Sequence, residues 1–555
     1  MEGFIILSII VAVAVWVVSW QAAQGRRKQI WLAKQAERRR IEACGEVVLF
    51  FANHIGYIAR SVMSREELEA LLDHGITAPK LAEEIHRRIE KEDGLILGYH
   101  LFGNYGLDVK VPEEMRQRHI YVIGKSGYGK TNLLRGMIFQ DIEAGRGIGV
   151  IAPEAEMLTE EILPYIPDHR IDDVIYFNPA DCESPVSFNP LYLDDGEDLD
   201  LKVDENFTIF NRLLSEVGPR TNEILRQALY ALTGRPGATL LDIERLLDRS
   251  DPIFRNEIIR ESRDEQMIHF WRDVYPSLPK DAHLPLTTRL GRFIRPKVMR
   301  SILCNPHQSL NFRKAMDEGR IMLFNLSDGI LGEQNSQMLG QLVVSKFQLA
   351  VMARAAQTKQ QRKNFYLYID EFQTFTGTES SSYEKILSRA RKYKLSLTLA
   401  HQQTGQLPGH LLKEILGNVS TTICFQVSRE DAFKFSKELV TMYDGEIINI
   451  PEEEILKLKV GQAWCKIGQN SFLMQTYLED QHPDSRRATY VIERSRRNYG
   501  VLTEGRTYDQ ALDIERAGNT EPQHQSDAHG QPAQKAHSPV DDLLKDIDPA
   551  NVFGE

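Results

Sequence analysis

The segment HIYVIGKSGYGKTNLL, which runs from His119 to Leu134, is the most informative part of this sequence. An apolar segment, His119 to Ile123, leads into the glycine-rich turn Gly124 to Gly129, and an amphipathic segment follows. This order matches the G-x-x-x-x-G-K-[ST] phosphate loop, with a strand before it and a helix after it. Glycines allow backbone N–H groups to surround a phosphate, and the start of the helix adds its dipole. The sequence therefore predicts a nucleotide site.

The chemistry of this loop predicts ATP and Mg²⁺ as its cofactors. The Lys130 ammonium reaches the β- and γ-phosphates, and the Thr131 hydroxyl is a ligand of Mg²⁺. The predicted nucleotide-binding residues are Gly124, Lys125, Ser126, Gly127, Tyr128, Gly129, Lys130, Thr131 and Asn132.

A second segment, FYLYIDEF from Phe365 to Phe372, has the pattern of a Walker B strand. An apolar strand ends there in two adjacent carboxylates. Asp370 is the predicted Mg²⁺ ligand, and Glu371 is the predicted catalytic group that orients and polarises the attacking water. The alternative is a strand that ends in two capping acids. Because a phosphate loop precedes it, the pair favours a hydrolase, and the adjacent glutamate argues against a kinase.

The segment SRARKYKLSLTLAHQQTGQL carries two further candidate catalytic residues. Gln402 follows an apolar strand and is predicted to sense the γ-phosphate, since open α/β sheets bind ligands at the carboxyl ends of their strands. Among the basic residues Arg389, Arg391 and Lys392 of this segment, an arginine is a candidate to act across a subunit interface. A polar loop and a solvated basic helix face are the respective alternatives.

The order of the apolar segments predicts an α/β fold. Strand candidates at Gly147–Ala152, Asp173–Phe177, Arg320–Leu326, Thr421–Val427 and Gln462–Ile467 join those above, and helical crossovers between them indicate a parallel sheet covered on both faces. The stretch Ile96 to Pro112 indicates a hairpin that leads into the core. From about Asp195 to Glu318 the period is helical throughout, which predicts an all-α insertion.

Composition bounds the class of protein. The chain has 555 residues, enough for several domains. Its five cysteines lie far apart without a C-x-x-C pair. This spacing argues against a zinc site or a disulfide framework and indicates a reducing compartment. The net charge is −11, but residues 501–555 hold 11 acidic and 4 basic residues. The remainder is nearly balanced, which does not exclude a basic pore for DNA.

The N-terminus is predicted to anchor the chain in a membrane. Phe4 to Trp20 is almost wholly apolar, and at about 1.5 Å per residue it nearly crosses a hydrocarbon core of roughly 30 Å. Arg26, Arg27 and Lys28 follow, so the positive-inside rule gives one pass with the C-terminal bulk in the cytoplasm. The alternative is a cleaved signal peptide, although no basic segment precedes the apolar run.

These observations divide the chain into six parts. We predict a transmembrane anchor at 1–25, a juxtamembrane helical region at 26–95, an ATPase core in two parts at 96–194 and 319–494, an all-α insertion at 195–318 and an acidic disordered tail at 495–555. The last segment of the tail, PVDDLLKDIDPANVF, is either a short docking helix or part of the solvated tail.

The motifs together resemble the HerA/FtsK superfamily of hexameric DNA-pumping ATPases and, within it, the TraG/TraD-like type IV coupling proteins of conjugation. The resemblance runs from about Ile96 to Gln475 and rests on GKSGYGKT, VIYFNP, FNPL, GPRT, RIMLFNLSDGILGE, IDEFQTF and SRARKYKLSLTLAHQQTGQL. It implies a RecA-like core, an inserted helical domain, an N-terminal anchor in the bacterial inner membrane and a hexameric ring around DNA. It also implies the roles given above to Lys130, Thr131, Asp370, Glu371 and Gln402, and it implies that Arg391 is the interface arginine.

Two features depart from that family. Relatives usually have an Asp-Pro step after the second strand, whereas this chain has APEAE from Ala152 to Glu156, so the first acid is missing and Glu156 remains. Many coupling proteins also have two membrane spans, whereas one is predicted here. The resemblance therefore covers the ATPase core, and it does not extend to the role of the missing acid or to a contact with a periplasmic channel.

The predicted function is a membrane-anchored ATPase that binds and translocates DNA as a coupling protein, with a relaxase and secretion-channel proteins as partners. Candidate DNA contacts are the loop from Thr374 to Tyr383 and the basic residues Arg289, Arg292 and Arg295. One alternative is a HerA-like motor in genome processing or phage defence, and another is a nucleotide-dependent docking platform for proteins. The adjacent pair Asp370 and Glu371 argues against the platform.

Overall fold

The computed structural model describes residues 94–500, apart from 103–104, 182–183, 195–196, 215–217, 307–308, 377–380, 444–445, 469 and 478–484, together with six helical positions between 67 and 88. The predicted anchor at 1–25, most of the juxtamembrane region and the tail beyond 500 lie outside these residues. Among the helices that are described, none is both long and apolar enough to cross a membrane.

Within the described residues, eleven strands form one mixed sheet with the order β2-β1-β13-β12-β9-β3-β8-β7-β4-β6-β5. Two further strands, β10 and β11, form a separate hairpin. The strands are β1 (Gly94–Phe102), β2 (Tyr105–Pro112), β3 (Ile120–Ile123), β4 (Gly147–Ala152), β5 (Val174–Phe177), β6 (Ile321–Asn325), β7 (Phe365–Ile369), β8 (Leu395–His401), β9 (Thr421–Cys424), β10 (Val440–Tyr443), β11 (Glu446–Asn449), β12 (Gln462–Ile467) and β13 (Asn470–Gln475).

The strands from β9 to β5 in this order are parallel, and we call them the parallel half. They read as continuous apolar runs because both faces of the sheet are covered. Tyr121 and Ile123 of β3 pack into one buried layer, while Ile120 and Val122 pack into the other. The predicted parallel sheet with two covered faces is therefore present in this half.

The remaining four strands, β2, β1, β13 and β12, are antiparallel to their neighbours, and we call them the antiparallel half. The expectation of a parallel arrangement was wrong for Gln462–Ile467, because this strand turns back directly into β13 and a short hairpin can join only antiparallel strands. The predicted hairpin near residues 96–112 is present as β1 and β2. It joins the sheet through β13, where Tyr99 faces Gln475.

The helices cover the sheet and fill the long connection between β5 and β6. They are α1 (Glu113–Arg116), α2 (Lys130–Glu143), α3 (Ala155–Thr159), α4 (Leu199–Leu213), α5 (Pro219–Leu232), α6 (Leu240–Leu247), α7 (Ile253–Glu261), α8 (Glu265–His269), α9 (Tyr275–Ser277), α10 (Leu284–Ile294), α11 (Lys297–Leu303), α12 (Phe312–Glu318), α13 (Asp328–Leu331), α14 (Glu333–Ala353), α15 (Ser381–Arg389), α16 (Gly409–Asn418), α17 (Arg429–Glu438), α18 (Glu452–Leu456) and α19 (Ser485–Tyr499).

The predicted helical insertion is confirmed as helices α4 to α12, which lie between β5 and β6. A π-helical turn at Phe270–Val274 joins α8 to α9. It directs Trp271 and Tyr275 into the core of the insertion, where their rings lie 5.0 Å apart and both side chains are fully buried. The large aromatic side chains of this segment therefore belong to the core of the insertion.

Helix α19 crosses the boundary predicted at residue 495. Ser495 is buried, and its hydroxyl accepts a hydrogen bond of 2.8 Å from the backbone N–H of Tyr176 in β5. Gly500 pairs with Val186 in an isolated bridge. The polar composition of residues 495–500 therefore reflects a helix with one solvated face, and the disordered tail predicted from 495 cannot begin before residue 501.

A buried network around Asp141 joins α1, the phosphate-loop helix α2 and the strand β7. Arg116 of α1 donates 2.6 Å from Nη1 to Oδ1 of Asp141 in α2, and both side chains are almost fully buried. The Tyr368 hydroxyl of β7 donates to the same carboxylate at 2.6 Å. The Arg116 guanidinium also stacks on the Tyr366 ring, 3.6 Å from its centroid. This network fixes α2 against β7 and so fixes the distance between the two predicted motifs.

Candidate nucleotide site

The phosphate loop occupies the turn between β3 and α2. Gly127 and Gly129 have φ angles of 78° and 110°, in the left-handed region that favours glycine. Helix α2 begins directly at Lys130, so its first backbone N–H groups face the turn. The Lys130 side chain is only 5 % exposed and lies over the loop, with Nζ donating 3.4 Å to the Lys125 carbonyl oxygen.

Neighbouring strand ends hold the loop in place. The backbone N–H of Gly124 donates 3.3 Å to the His401 carbonyl oxygen at the end of β8, and that of Lys125 donates 2.8 Å to the Gln426 carbonyl oxygen after β9. A Cβ atom on Gly124 would lie 2.5 Å from Cβ of Phe425. Close packing against Phe425 therefore requires glycine at position 124.

The two predicted acids follow β7 at the same edge of the sheet. The backbone N–H of Asp370 donates a hydrogen bond of 3.1 Å to the Ile151 carbonyl oxygen, so the backbone of Asp370 continues the pairing of β7 with β4. Burial, followed by the Glu371 charge, raises the pKa of Asp370 to about 7 even though the Lys130 charge opposes the shift. The charge of Glu154, which lies in the APEAE segment, adds a smaller upward contribution. A positive ligand would stabilise the ionised form of such a carboxyl.

Glu371 is held at both carboxylate oxygens. Its Oε1 accepts a hydrogen bond of 3.0 Å from Gln402 Nε2 and lies 3.6 Å from Lys130 Nζ. Its Oε2 accepts 2.7 Å from Gln373 Nε2. The backbone of Glu371 is left-handed, with φ of 43°, which is uncommon for a residue with a side chain. The structure thus brings together Lys130, Glu371 and Gln402, and it adds Gln373, which sequence reasoning missed.

His401 is the last residue of β8 and directly precedes Gln402. It is fully buried, its Nε2 is hydrogen-bonded to the Tyr121 hydroxyl, and the Phe372 ring lies edge-on at 5.0 Å. Burial, with a smaller contribution from the Lys130 charge, lowers the pKa of His401 to about 3. The ring is therefore neutral and positions the strand end without adding a second positive charge beside Lys130.

The loop that carries Gln402 is fixed by a carboxylate that sequence reasoning also missed. The backbone N–H of Thr404 donates 3.2 Å to Oδ2 of Asp431 in α17, and its hydroxyl is bonded to Oδ1 of the same residue. Asp431 is 2 % exposed, and Lys434 Nζ donates 2.8 Å to the Thr404 hydroxyl. We call this contact the Thr404–Asp431 clamp. Asp431 stands three positions after Ser428, which caps this helix, and that spacing in the sequence does not indicate a contact with the loop.

The other predicted nucleotide residues lie around the same turn. Thr131 is half-buried in the first turn of α2, and Ser126 is exposed. Lys125 is exposed, with Nζ 3.3 Å from Gln426 Oε1. Asn132 turns toward the antiparallel half, where its Nδ2 donates 2.5 Å to the Tyr477 carbonyl oxygen. Asn132 is therefore held by a contact within the protein.

Arg391 lies at the end of the parallel strands that is opposite to the phosphate loop. It is exposed on the 3₁₀ turn Ala390–Tyr393, which precedes β8, whereas Gln402 follows β8. A strand of that length spans about 20 Å. Arg391 therefore does not belong to the same cluster as Lys130 and Glu371 within one chain.

The residues predicted to contact DNA fall into two groups. Arg292 and Arg295 line a cleft of about 670 Å³ between the end of α10 and the start of α14, which shares no residue with the phosphate loop. Arg289 instead donates 2.6 Å to the Leu214 carbonyl oxygen. In the Thr374–Tyr383 loop, residues 377–380 lie outside the described part, and Tyr383 is a buried core residue whose ring lies 5.7 Å from that of Phe372.

The fold and this constellation define a phosphate-loop nucleotide-binding protein with an α/β core and a helical insertion. Residues 364–444 match the TraG-D_C family, described as the TraM recognition site of TraD and TraG. The predicted resemblance to the TraG/TraD coupling proteins is therefore confirmed. No curated protein matches the sequence.

Solved structures share the fold at low sequence identity. The trigonal form of the bacterial conjugative coupling protein TrwB with sulphate is 15% identical, with a TM-score of 0.51, and the match covers 74% of this chain and 94% of that chain. TrwB in complex with ADP and Mg²⁺ gives a TM-score of 0.50 with the same identity and coverage. VirB4 of Thermoanaerobacter pseudethanolicus, at 15% identity and a TM-score of 0.48, covers 70% of this chain and 97% of that chain.

Proposed function

We propose that this chain is the ATPase subunit of a membrane-anchored, ring-forming motor that translocates DNA as a conjugative coupling protein. The observation that carries the proposal is the position of Glu371, which is held by two amides and lies 3.6 Å from the buried Lys130 ammonium at the phosphate loop. A carboxylate in that position is suited to accept a proton from water beside a bound γ-phosphate.

The side chains fit a nucleotide with Mg²⁺. The left-handed glycines, the start of α2 and Lys130 suit the phosphates, and TrwB has been solved with ADP and Mg²⁺. Thr131 and Asp370 would hold the ion, since the pKa of Asp370 is raised by burial and a divalent cation would favour its ionised form. When bound, Mg²⁺ supplies charge neutralisation at the β- and γ-phosphate oxygens.

Hydrolysis uses the groups around Glu371. Its carboxylate accepts a proton from the attacking water, the water oxygen bonds to the γ-phosphorus, and the bond to the bridging oxygen of ADP breaks. Lys130 offsets the charge on the phosphates. Gln402 donates to Glu371 at 3.0 Å, so a shift of this amide on loss of the γ-phosphate moves the loop before Thr404 and transmits the event to α17.

Arg391 acts in a neighbouring subunit. Its location at the opposite end of the parallel strands suits a head-to-tail ring, in which that end of one subunit meets the phosphate-loop end of the next. The Arg391→Ala variant should lose turnover alone and regain it when mixed with Lys130→Ala, because a mixed ring contains sites with both groups intact. Random mixing at equal amounts gives about a quarter of wild-type turnover. No recovery at any ratio would remove Arg391 from this role.

DNA binding and the cellular setting complete the proposal. Arg292 and Arg295 line an open cleft on the insertion, where they suit contacts with DNA phosphates. The apolar run Phe4 to Trp20 anchors the ring in the inner membrane. A relaxase and secretion-channel proteins are the expected partners, and a TraM-like protein suits the segment 364–444, whose family is described by that recognition.

The test is ATP hydrolysis by the full chain in detergent, with and without single- and double-stranded DNA, at low and moderate salt. DNA should stimulate turnover, and the stimulation should fade as salt rises because phosphate contacts release counterions. Turnover that is indifferent to DNA at every salt concentration would contradict a DNA motor and favour a protein-handling ATPase. No turnover under conditions where rings form would favour a docking platform.

A further inference from the structure

The ends of β12 and β13 form a wall beside the phosphate loop. The backbone N–H of Gly461 donates 3.0 Å to the Tyr128 carbonyl oxygen in the loop, and the N–H of Thr476 donates 2.8 Å to the Gly461 carbonyl oxygen. A Cβ atom on Gly129 would lie 3.4 Å from Cα of Gly461. The antiparallel half therefore contacts the phosphate loop directly, and it does so through backbone atoms that leave the adjoining side chains free to face outward.

Two of these adjoining side chains are apolar and exposed. Val460 is 62% exposed and Tyr477 is 45% exposed. Tyr477 is nevertheless held firmly, since its ring lies 5.3 Å from that of Tyr99, its hydroxyl is bonded to Asp108 and its carbonyl oxygen accepts from Asn132 of α2. The ring of Tyr477 is therefore fixed in position near the phosphate loop, and part of its surface remains exposed.

The direction of a bound nucleotide follows from the order of the strands. Glu371 and Gln402 follow β7 and β8, which lie on one side of β3, whereas β9, β12 and β13 lie on the other side. The γ-phosphate must face Glu371, because that carboxylate activates the attacking water. The α-phosphate, the ribose and the base must therefore extend the opposite way, past the start of α2 and toward the wall.

We infer that Tyr477 and Val460 form the subsite for the base of the bound nucleotide, with the ring of Tyr477 stacking on it. The inference rests on the proposed function, since it takes ATP as the substrate. Stacking on an aromatic side chain stabilises a base without hydrogen bonds, because every base has a π-face. The subsite accordingly contributes to the affinity for ATP and not to the chemistry at the γ-phosphate.

The experiment compares two ligands that differ in the base and ribose. The full chain in detergent is titrated calorimetrically with ATP and with inorganic tripolyphosphate, each with Mg²⁺. Tyr477→Ala should weaken ATP binding about five- to twentyfold and leave tripolyphosphate binding within about twofold of wild type. Tyr477→Phe keeps the ring and should bind both ligands as wild type does. Tyr490→Ala removes an aromatic side chain that is 59% exposed on α19 and serves as the matched control.

Each other outcome overturns the inference. Tyr477→Ala that binds ATP as tightly as wild type excludes stacking, and equal losses for ATP and tripolyphosphate indicate a displaced phosphate loop instead of a base contact. If Tyr477→Ala does not fold, Val460→Ala replaces it, with an expected two- to fivefold loss for ATP alone, smaller because only aliphatic surface is removed. A wild-type chain that binds neither ligand removes the proposed function, and the subsite with it, whereas normal ATP binding with an unaffected Tyr477→Ala variant removes the subsite alone.

Discussion

The two halves of the sheet serve the site in different ways. In the parallel half, the functional groups lie in the segments that follow strand ends: Lys130 after β3 and its loop, Glu371 after β7 and Gln402 after β8. In the antiparallel half, Gly461 contacts the phosphate loop through its backbone, and the exposed ring of Tyr477 lies nearby. The parallel half thus carries the predicted chemistry, while the antiparallel half shapes one wall of the site.

This difference explains which contacts form locally. Strand, loop and helix are continuous in sequence around Lys130, so short-range preferences already specify the phosphate loop. In the antiparallel half, β1 joins the sheet by pairing with β13, where Tyr99 faces Gln475. These two residues come from opposite ends of the described part of the chain. Contacts of that kind depend on the whole fold and leave only a weak signal in the sequence.

The largest expected effect lies in the parallel half. Glu371→Gln should lower turnover about 10³- to 10⁴-fold while it retains ATP binding, because the amide cannot accept a proton from water. Lys130→Ala should abolish both, since it removes the charge that faces the phosphates. Phosphate release and ATP binding by the full chain measure the two effects. Normal hydrolysis by Glu371→Gln would show that the catalytic base is another residue, and the parallel half would then lack the predicted chemistry.

The next effect concerns the buried network that fixes α2 against β7 in the parallel half. Asp141→Ala should lower the free energy of unfolding by about 3–5 kcal/mol, because it leaves the Arg116 guanidinium buried without its carboxylate. Urea denaturation at pH 7 measures this change. Asp204→Ala removes an exposed partner of Arg226 and should change the same quantity by about 0.5 kcal/mol or less. Equal effects of the two substitutions would contradict a buried bridge between α1, α2 and β7.

A third effect concerns His119, which precedes β3 and therefore lies at the end of the parallel strands opposite to the phosphate loop. Leu397 N–H donates 3.0 Å to His119 Nδ1, so Nε2 carries the proton and donates 3.2 Å to the Leu387 carbonyl oxygen. Burial lowers the pKa of His119 from 6.5 to about 4. The neutral ring therefore contributes stability that is fully present above pH 6.5 and is lost as the pH falls through 4, in total about 3 kcal/mol.

The His119→Gln variant should accordingly show a flatter fall in stability between pH 6.5 and 4 than wild type. Urea denaturation at a series of pH values measures the slope, and His169→Gln, at an exposed position, is the control that should keep the wild-type slope. An unchanged slope in His119→Gln would indicate that other groups set the acid sensitivity of this end of the strands.

The sequence indicated most of the parallel half and little of its support. The phosphate loop, the acids after β7 and the amide after β8 follow apolar strands, so their meeting at one edge of the sheet could be predicted. Gln373 and Asp431 could not, because each contacts the site only through the turn or helix that carries it. The strand β13 was missed because its residues, NSFLMQ, alternate too weakly to indicate a strand without its partner β12.

The same reasoning explains the error at residue 495. The segment from 485 to 499 is rich in arginine, and its polar composition hides the few side chains, such as Val491 and Ser495, that are buried against the core. A helix with one narrow buried face has the composition of a solvated segment. Only packing against β5 distinguishes the two, and that packing is a property of the folded chain.

The smallest expected effect lies where the two halves meet. The Thr404–Asp431 clamp joins the loop after β8 to α17, which follows β9, the strand that pairs with the antiparallel half. A hydrogen bond to a charged partner contributes about 1.5–3 kcal/mol, so Thr404→Val should lower kcat about tenfold by loosening Gln402. Thr404→Ser keeps the hydroxyl and should stay within about twofold of wild type, and the dissociation constant for ATP should be unchanged in both variants. If Val and Ser variants hydrolyse ATP equally fast, Gln402 is held without the clamp, and the antiparallel half acts on the site only through its wall.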